Sequence, residues 1–139
     1  MSEIARVSLS LETSLLEKLD RLTRENDYRN RSEFIRDLIR DQLTREQWEK
    51  DEEVIGTLTL VYNHHQRGLT EKLVELQHHC HETILAATHV HLSHEICAEM
   101  IMIRGRGSGI VQLTRSIKQL RGVLHAELTM NTTGEKIIS

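Results

Sequence analysis

The stretch "THVHLSHEIC", residues 88 to 97, sets His89, His91, His94 and Cys97 within ten positions. Imidazole nitrogen and thiolate sulfur are donors that borderline and soft metal ions accept. Strand alternation puts Leu85, Ala87, His89 and His91 on one face, with Ile84, Ala86, Thr88, Val90 and Leu92 on the other. If Ser93, His94 and Glu95 form a three-residue turn, Leu92 lies opposite Ile96 and His91 lies opposite Cys97. Cys97 then joins the His89/His91 face, and Glu99 lies opposite His89, where it can orient that ring. A two-residue turn would send Cys97 to the wrong face and dissolve the group.

This set is one donor short. "QHHCH", residues 77 to 81, offers a fourth at the end of a helix. Within one subunit that helix is expected on the sheet face opposite the His/Cys set, so its histidine should come from a neighbouring subunit. Three nitrogens and one sulfur suit Zn(II), Cu(II) or Ni(II), and the residues alone leave the choice open. "GRGSG", residues 105 to 109, lacks the Lys-Ser/Thr that completes a phosphate loop and reads as a glycine turn.

These residues must be held by a folded chain. The chain has 139 residues, 38% apolar and 28% charged, which fits a globular protein and excludes disorder. No apolar run approaches the roughly 20 residues of a membrane span, and "MSEIARVSLSL" has no secretory apolar region. Two cysteines without such a signal read as cytoplasmic thiols rather than a disulfide framework. A net charge of −3 rules out nucleic-acid binding by bulk charge, leaving only a local patch. Aromatic content of 3% argues against base stacking. All nine histidines follow residue 63, which divides the chain into two domains, expected at 1–50 and 51–139.

The second domain reads β-α-β-β-α-β. "VIGTLTLVY" (54–62), "ILAATHVHL" (84–92), "ICAEMIMIR" (96–104) and "VLHAELTM" (123–130) have strand character. "GLTEKLVELQHHC" and "IVQLTRSIKQLRG" carry apolar residues at helical spacing. That order predicts a ferredoxin-like sheet with helices on one face and a bare second face that meets another subunit.

In the first domain "ARVSLSL" alternates, with Val7, Leu9 and Leu11 opposite Arg6, Ser8 and Ser10. A lone strand cannot satisfy its own backbone, so pairing with a second copy is expected. Two such strands make a ribbon that fits a DNA major groove, with Arg6, Ser8 and Ser10 facing the bases. A helix follows, capped by Thr13 or Ser14 and striped with Leu15, Leu16, Leu19 and Leu22. After "ENDYRN", a second helix opens on Asn30-x-x-Glu33, a capping-box-like start. Its first N–H groups, near Asn30, Arg31 and Ser32, are placed to hold a backbone phosphate. Thr44 to Glu53 reads as a helix end running into a linker.

Residues 4 to about 45 resemble the ribbon-helix-helix family of DNA-binding proteins, through "RVSLSL", the leucine stripe and "NRSEFIRDLIR". The whole chain resembles the nickel-responsive repressor family (NikR), through "YRNRSEFIRDLIR", "QHHCH" and above all "THVHLSHEIC". The resemblance implies an α+β chain: a ribbon-helix-helix (βαα) domain followed by a ferredoxin-like ACT-type (βαββαβ) domain. It implies a non-enzymatic, nickel-dependent repressor acting on a palindromic operator of nickel-uptake genes. It implies a planar Ni(2+) site, one per subunit, with His89, His91 and Cys97 from one subunit and His78 from another. It further implies a cytoplasmic homotetramer, a dimer of dimers, bound to double-stranded DNA. Arg67 in "HHQRG" matches a phosphate contact, although Gln66 replaces a positive residue that relatives can carry. Glu33 and Asp37 match positions that hold a monovalent cation. Cys80 replaces a histidine of many relatives, which leaves secondary metal sites in question. Two other functions are compatible with parts of the sequence: a small-molecule-sensing or antitoxin-like repressor whose histidines are incidental, and a metal-dependent hydrolase. The hydrolase needs an open coordination position, which four protein ligands do not leave.

Overall fold

The computed structural model describes residues 3–138. The chain divides into two compact units, one running to Leu43 and including the C-terminal segment from Gly134, the other spanning Thr44–Thr133.

In the first unit, α1 spans Thr13–Glu25 and α2 spans Arg31–Glu49, the latter continuing into the second unit. Glu12, rather than Thr13 or Ser14, occupies the position before α1, and it makes no side-chain cap bond. The helix stops at Asn26, whose backbone and side-chain nitrogens both return to the Leu22 carbonyl. Asp27 then adopts φ 59°, a left-handed turn that an Asx side chain tolerates. Asn30 caps α2 as expected, its Oδ1 accepting the Glu33 N–H at 3.0 Å. Glu33 does not complete the reciprocal box; its carboxylate pairs with Arg36 at 2.9 Å instead.

Residues 3–12 form no strand in the single chain. Val7 is 79% and Leu9 63% exposed, so the apolar side of the alternating segment meets solvent. A strand is defined by its ladder, and one chain has no second "RVSLSL" to supply it.

The second unit is a four-stranded antiparallel sheet in the order β2-β3-β1-β4. Its strands are β1 (Glu53–Asn63), β2 (Thr83–His91), β3 (Ile96–Arg106) and β4 (Val123–Asn131). Helices α3 (Leu69–His79) and α4 (Gly107–Lys118) connect them, and α5 (Glu135–Ile138) follows. Alternate residues of β1, from Val54 through Leu58, Leu60 and Tyr62, are buried with Cys97, Ile101 and Ile103 of β3. Leu69 and Leu73 of α3 and Ile110, Leu113 and Ile117 of α4 close over that same face. The opposite face, with Thr57, Thr59, Met100 and Met102 in register, carries no helix of this unit.

Two expectations give way. The stretch from Thr44 is a helix end, as expected, but α2 runs to Glu49 and only residues 50–52 stand before β1 in place of a linker, and Trp48 packs against the core of the second unit. Trp48 Nε1 donates to the Asn131 carbonyl at 2.9 Å, and Thr132 Oγ1 donates to Gln47 Oε1 at 2.7 Å. A charge-rich sequence hid one large apolar side chain that anchors the helix end. "GRGSG" is also no loop: β3 runs through Arg106 and α4 starts at Gly107. The first N–H groups of α4 are already met, Ser108 by Asp51 Oδ1 at 2.8 Å and Gly107 by the Glu52 carbonyl at 3.3 Å. The glycines serve packing, since a Cβ at Gly109 would overlap the Glu82 carboxylate.

Trp48→Ala should therefore destabilise the protein by roughly 3 kcal/mol, the usual cost of emptying an aromatic site. Urea unfolding followed by circular dichroism measures it, and a change under about 0.5 kcal/mol would show that Trp48 does not anchor the helix end.

Candidate metal centre

The hairpin between β2 and β3 has the expected three-residue turn. His91 lies opposite Cys97 and His89 opposite Glu99. The Leu92 and Ser93 N–H groups both donate to the Ile96 carbonyl, at 2.9 and 3.1 Å. Ser93 Oγ in turn accepts from the Glu95 and Ile96 N–H groups, at 3.3 and 3.2 Å. This double bonding fixes the loop length, and with it the face on which Cys97 emerges.

Cys97 is fully buried, at the edge of the apolar core. Its Sγ lies 3.1 Å from His91 Nδ1 and 3.3 Å from His64 Nδ1. Among the described residues, His64, His91 and Cys97 are the one group whose donor atoms all lie within 4.8 Å of one another. The sequence reading did not assign His64. It follows β1 directly, and its backbone N–H donates to the Glu95 carbonyl of the hairpin turn at 2.7 Å. The "HH" of "YNHHQRG" signalled a histidine at a strand end, but only the pairing of β1 with β3 shows that this end meets Cys97. Partial desolvation, with the neighbouring histidines His91, His65, His89 and His94 adding to it, holds His64 below the usual histidine range. It is thus neutral and able to offer a lone pair at neutral pH.

His89 stands beside this group, its ring centroid 5.1 Å from that of His91. Its Nδ1 lies 2.8 Å from the Tyr62 hydroxyl. Tyr62 is buried and its hydroxyl is pushed up to about 12, chiefly by burial, then by Glu99 and Cys97. The phenol thus stays protonated, yet its oxygen can still accept the Nδ1 proton, which frees the Nε2 lone pair of His89 for a ligand. Glu99 is partly buried, and desolvation raises its carboxyl while His89 and a hydrogen bond from Gln77 oppose that rise.

One expectation about this face is corrected. The His/Cys face is not opposite the helices but the same face, since Cys97 belongs to the cluster that includes Leu69 and Leu73 of α3. The imidazoles of His89 and His91 are nonetheless exposed. They are exposed because β2 is an edge strand that the helices leave uncovered. His78 is nevertheless separate from the group. It lies with Thr70 and Val74 along a groove on the outer side of α3, while Leu69 and Leu73 turn inward. Cys80 is partly buried, its thiol donating to the Gln77 carbonyl at 3.1 Å.

Of the residues expected on DNA, Arg6, Ser8 and Ser10 are exposed, as are Asn30, Ser32 and Arg67. Arg31 is held in a fork by Asp20, Nε to Oδ1 at 2.7 Å and Nη2 to Oδ2 at 2.9 Å. Of the expected cation ligands, Glu33 pairs with Arg36, and Asp37 accepts from Tyr28 at 2.7 Å and Arg40 at 3.3 Å.

Two imidazoles and a thiol at contact distance are a donor set for a borderline metal ion. Comparison with known proteins agrees. Residues 55–131 match the model of the NikR C-terminal nickel binding domain, and residues 5–46 match that of the ribbon-helix-helix protein, copG family. The chain belongs to the NikR family.

Its relatives match over nearly their full length. A putative nickel-responsive regulator of Solidesulfovibrio magneticus is 45% identical over 99% of this chain and 100% of its own. Another, of Syntrophus aciditrophicus, is 40% identical over 97% and 98%. A third, of Solibacter usitatus, is 44% identical over 99% of each. The ACT domain from a GTP pyrophosphokinase of Chlorobium tepidum superposes with a TM-score of 0.51. That match covers 55% of this chain and 99% of the other, at 14% identity, and so concerns the fold alone. The α+β fold read from the sequence, a ribbon-helix-helix region followed by an ACT-like domain, is borne out. So is the family resemblance. No described helix is long and apolar enough to cross a membrane.

Because Tyr62 holds His89 by Nδ1, Tyr62→Phe should lower nickel affinity about ten-fold, the lower end of losses from removing an orienting partner. Competition titration against a chelator measures it, with unchanged circular dichroism as control. Unaltered affinity would mean that Tyr62 does not orient a ligand.

Proposed function

We propose that the protein is a nickel-dependent transcriptional repressor of the cytoplasm that binds a palindromic operator, that of nickel-uptake genes, when loaded. The observation that carries this reading is the buried Cys97 thiol in contact with His91 on a chain whose N-terminal region matches a DNA-binding family. Nickel, one ion per subunit, is assigned to His89, His91 and Cys97 of one subunit and His78 of another, in a homotetramer. The outward placement of His78 supports a donor shared between copies, because a side chain on the outer groove of α3 is directed away from its own sheet. The assigned residues would hold Ni(2+), which would supply a centre for imidazole and thiolate lone pairs.

Cys97 and His91 hold their places through the hairpin register, and His89 through Tyr62. In the single chain His64 occupies the position beside the thiol. On the DNA side, Arg6, Ser8 and Ser10 are assigned to base edges; Asn30, Arg31, Ser32 and Arg67 are assigned to phosphates. Glu33 and Asp37 are retained as a monovalent cation site that forms only if their present partners are exchanged.

Three tests follow from the ligand assignment. Cys97→Ala and His91→Ala should each abolish tight nickel binding with the fold intact. His78→Ala should do the same and His64→Ala should not; the reverse result would place the ion in the His64/His91/Cys97 group of one chain. His78→Ala and Cys97→Ala chains, inactive alone, should recover some nickel binding when co-refolded into mixed tetramers, and failure there would remove the shared site.

For the DNA surface, Arg6→Ala should cost about 1–3 kcal/mol of discrimination between operator and random duplex, the worth of one base contact. Equal losses on both duplexes, read by gel shift, would remove the base-reading role. Nickel and operator should strengthen each other by one common factor, as linkage requires.

A further inference from the structure

The start of α2 lies against an acid of α1 that a phosphate-binding surface would not be expected to hold. Asp20, from α1, grips Arg31 side-on through Nε and Nη2. The two side chains line one concavity with Thr23, Arg24, Asn30 and Ser32. Both are partly exposed, 55% for Arg31 and 34% for Asp20, so the pair borders solvent where DNA would approach. The fork leaves the Nη1 hydrogens of the guanidinium unused by Asp20, so Arg31 can still donate outward while it is held. The arginine hydrogen bond lowers the Asp20 carboxyl below its usual range, so the acid is fully ionised at neutral pH and the pair is neutral overall.

We propose that Asp20 is a specificity-determining residue for DNA: it fixes Arg31 as a directed hydrogen-bond donor while cancelling its charge. This rests on the reading above that the start of α2 contacts a phosphate. The consequence follows from what drives each kind of binding. Association with arbitrary duplex comes almost entirely from phosphate neutralisation and counterion release, whereas a specific complex adds base contacts and fixed geometry. A neutral, oriented pair withholds charge from the first and keeps a hydrogen bond for the second. Asp20 thereby lowers binding to random DNA more than binding to a matched site.

The experiment uses full-length, nickel-loaded protein and fluorescence anisotropy over a series of KCl concentrations. Two probes are needed: a random-sequence duplex, and a duplex enriched by the wild-type protein from a randomised pool. Asp20→Asn should bind the random duplex about ten-fold more tightly and steepen the salt dependence by about one for each subunit on DNA. The enriched duplex should gain less, so the ratio of the two affinities falls. Asp20→Glu, which keeps the charge, should follow wild type on both probes, and Arg31→Ala should weaken both. Circular dichroism melting shows that each variant is folded.

The proposal is overturned if Asp20→Asn leaves random-duplex binding unchanged or weaker while Arg31→Ala weakens it; the acid would then only buttress the arginine. It is also overturned if both duplexes gain equally. If neither variant alters random-duplex binding, the phosphate contact of α2 itself is wrong, and this inference falls with it.

Discussion

The pairing of His91 with Cys97 across a three-residue turn is the constraint on which the metal centre rests. A slip of one residue would carry every side chain of β2 to the other face and separate the imidazoles from the thiol. The slip is resisted from the other side of β3. That strand is interior, and its register with β1 places Ile101 opposite Leu58 and Ile103 opposite Gly56, all inside the buried face. A shift of β3 would expose Ile101 and Ile103 together, at about 1.5–3 kcal/mol each. The core thus fixes β3, the doubly bonded turn fixes β2 against β3, and the donors fall into place, Cys97 as a member of the core and the imidazoles at its exposed edge.

The site is best understood as a continuation of that core. Moving along the helix-covered face from α4 toward the hairpin, the side chains change from Ile110 and Ile101 to Tyr62 and Cys97, then to His89 and His91. Burial falls along the same path. The thiol is dry on the core side and meets imidazoles on the other. This gradient serves a metal ligand well. A sulfur in a low-dielectric setting gains most from a cationic partner, and the exposed edge leaves a path of entry. At this boundary Gln77 hydrogen-bonds Glu99, and Tyr62 hydrogen-bonds His89, which lies opposite Glu99, so the polar groups there are partnered.

Much of this was legible from residue types. Alternation located all four strands of the sheet to within two residues or so, and parity gave the hairpin register and the placement of Cys97 on the condition of a three-residue turn, which the structure has. Four things were not legible. The sheet face that the helices cover depends on which strand is an edge, and that is a property of topology rather than of β2's own pattern. His64 was missed because it reaches Cys97 through the β1–β3 pairing, a contact between residues 33 positions apart. Trp48 was missed because one aromatic in a run of charges leaves no period to detect. The grip of Asp20 on Arg31, across 11 positions and between two helices, is likewise invisible to any local reading.

The single chain also leaves surfaces unfinished, and they coincide with the parts that the functional reading assigns to other copies. Ile4, Val7 and Leu9 lie exposed along an unpaired segment, and Leu38 and Ile39 of α2 are about half exposed. On the sheet face without helices, Val90, Met100 and Met102 are exposed, with Thr57 and Thr59 of β1 beside the methionines. Apolar side chains in patches are usually matched by a partner, whereas scattered ones need none. An N-terminal segment that lacks a ladder and, on the proposed ligand assignment, a metal group that leaves His78 turned outward are incomplete in the same sense. Both would be completed by pairing of chains rather than by refolding of one. If so, metal occupancy bears on DNA binding through assembly: an ion with ligands from two chains stabilises only the arrangement in which those chains are together, and operator DNA, by selecting that arrangement, must favour the ion in return.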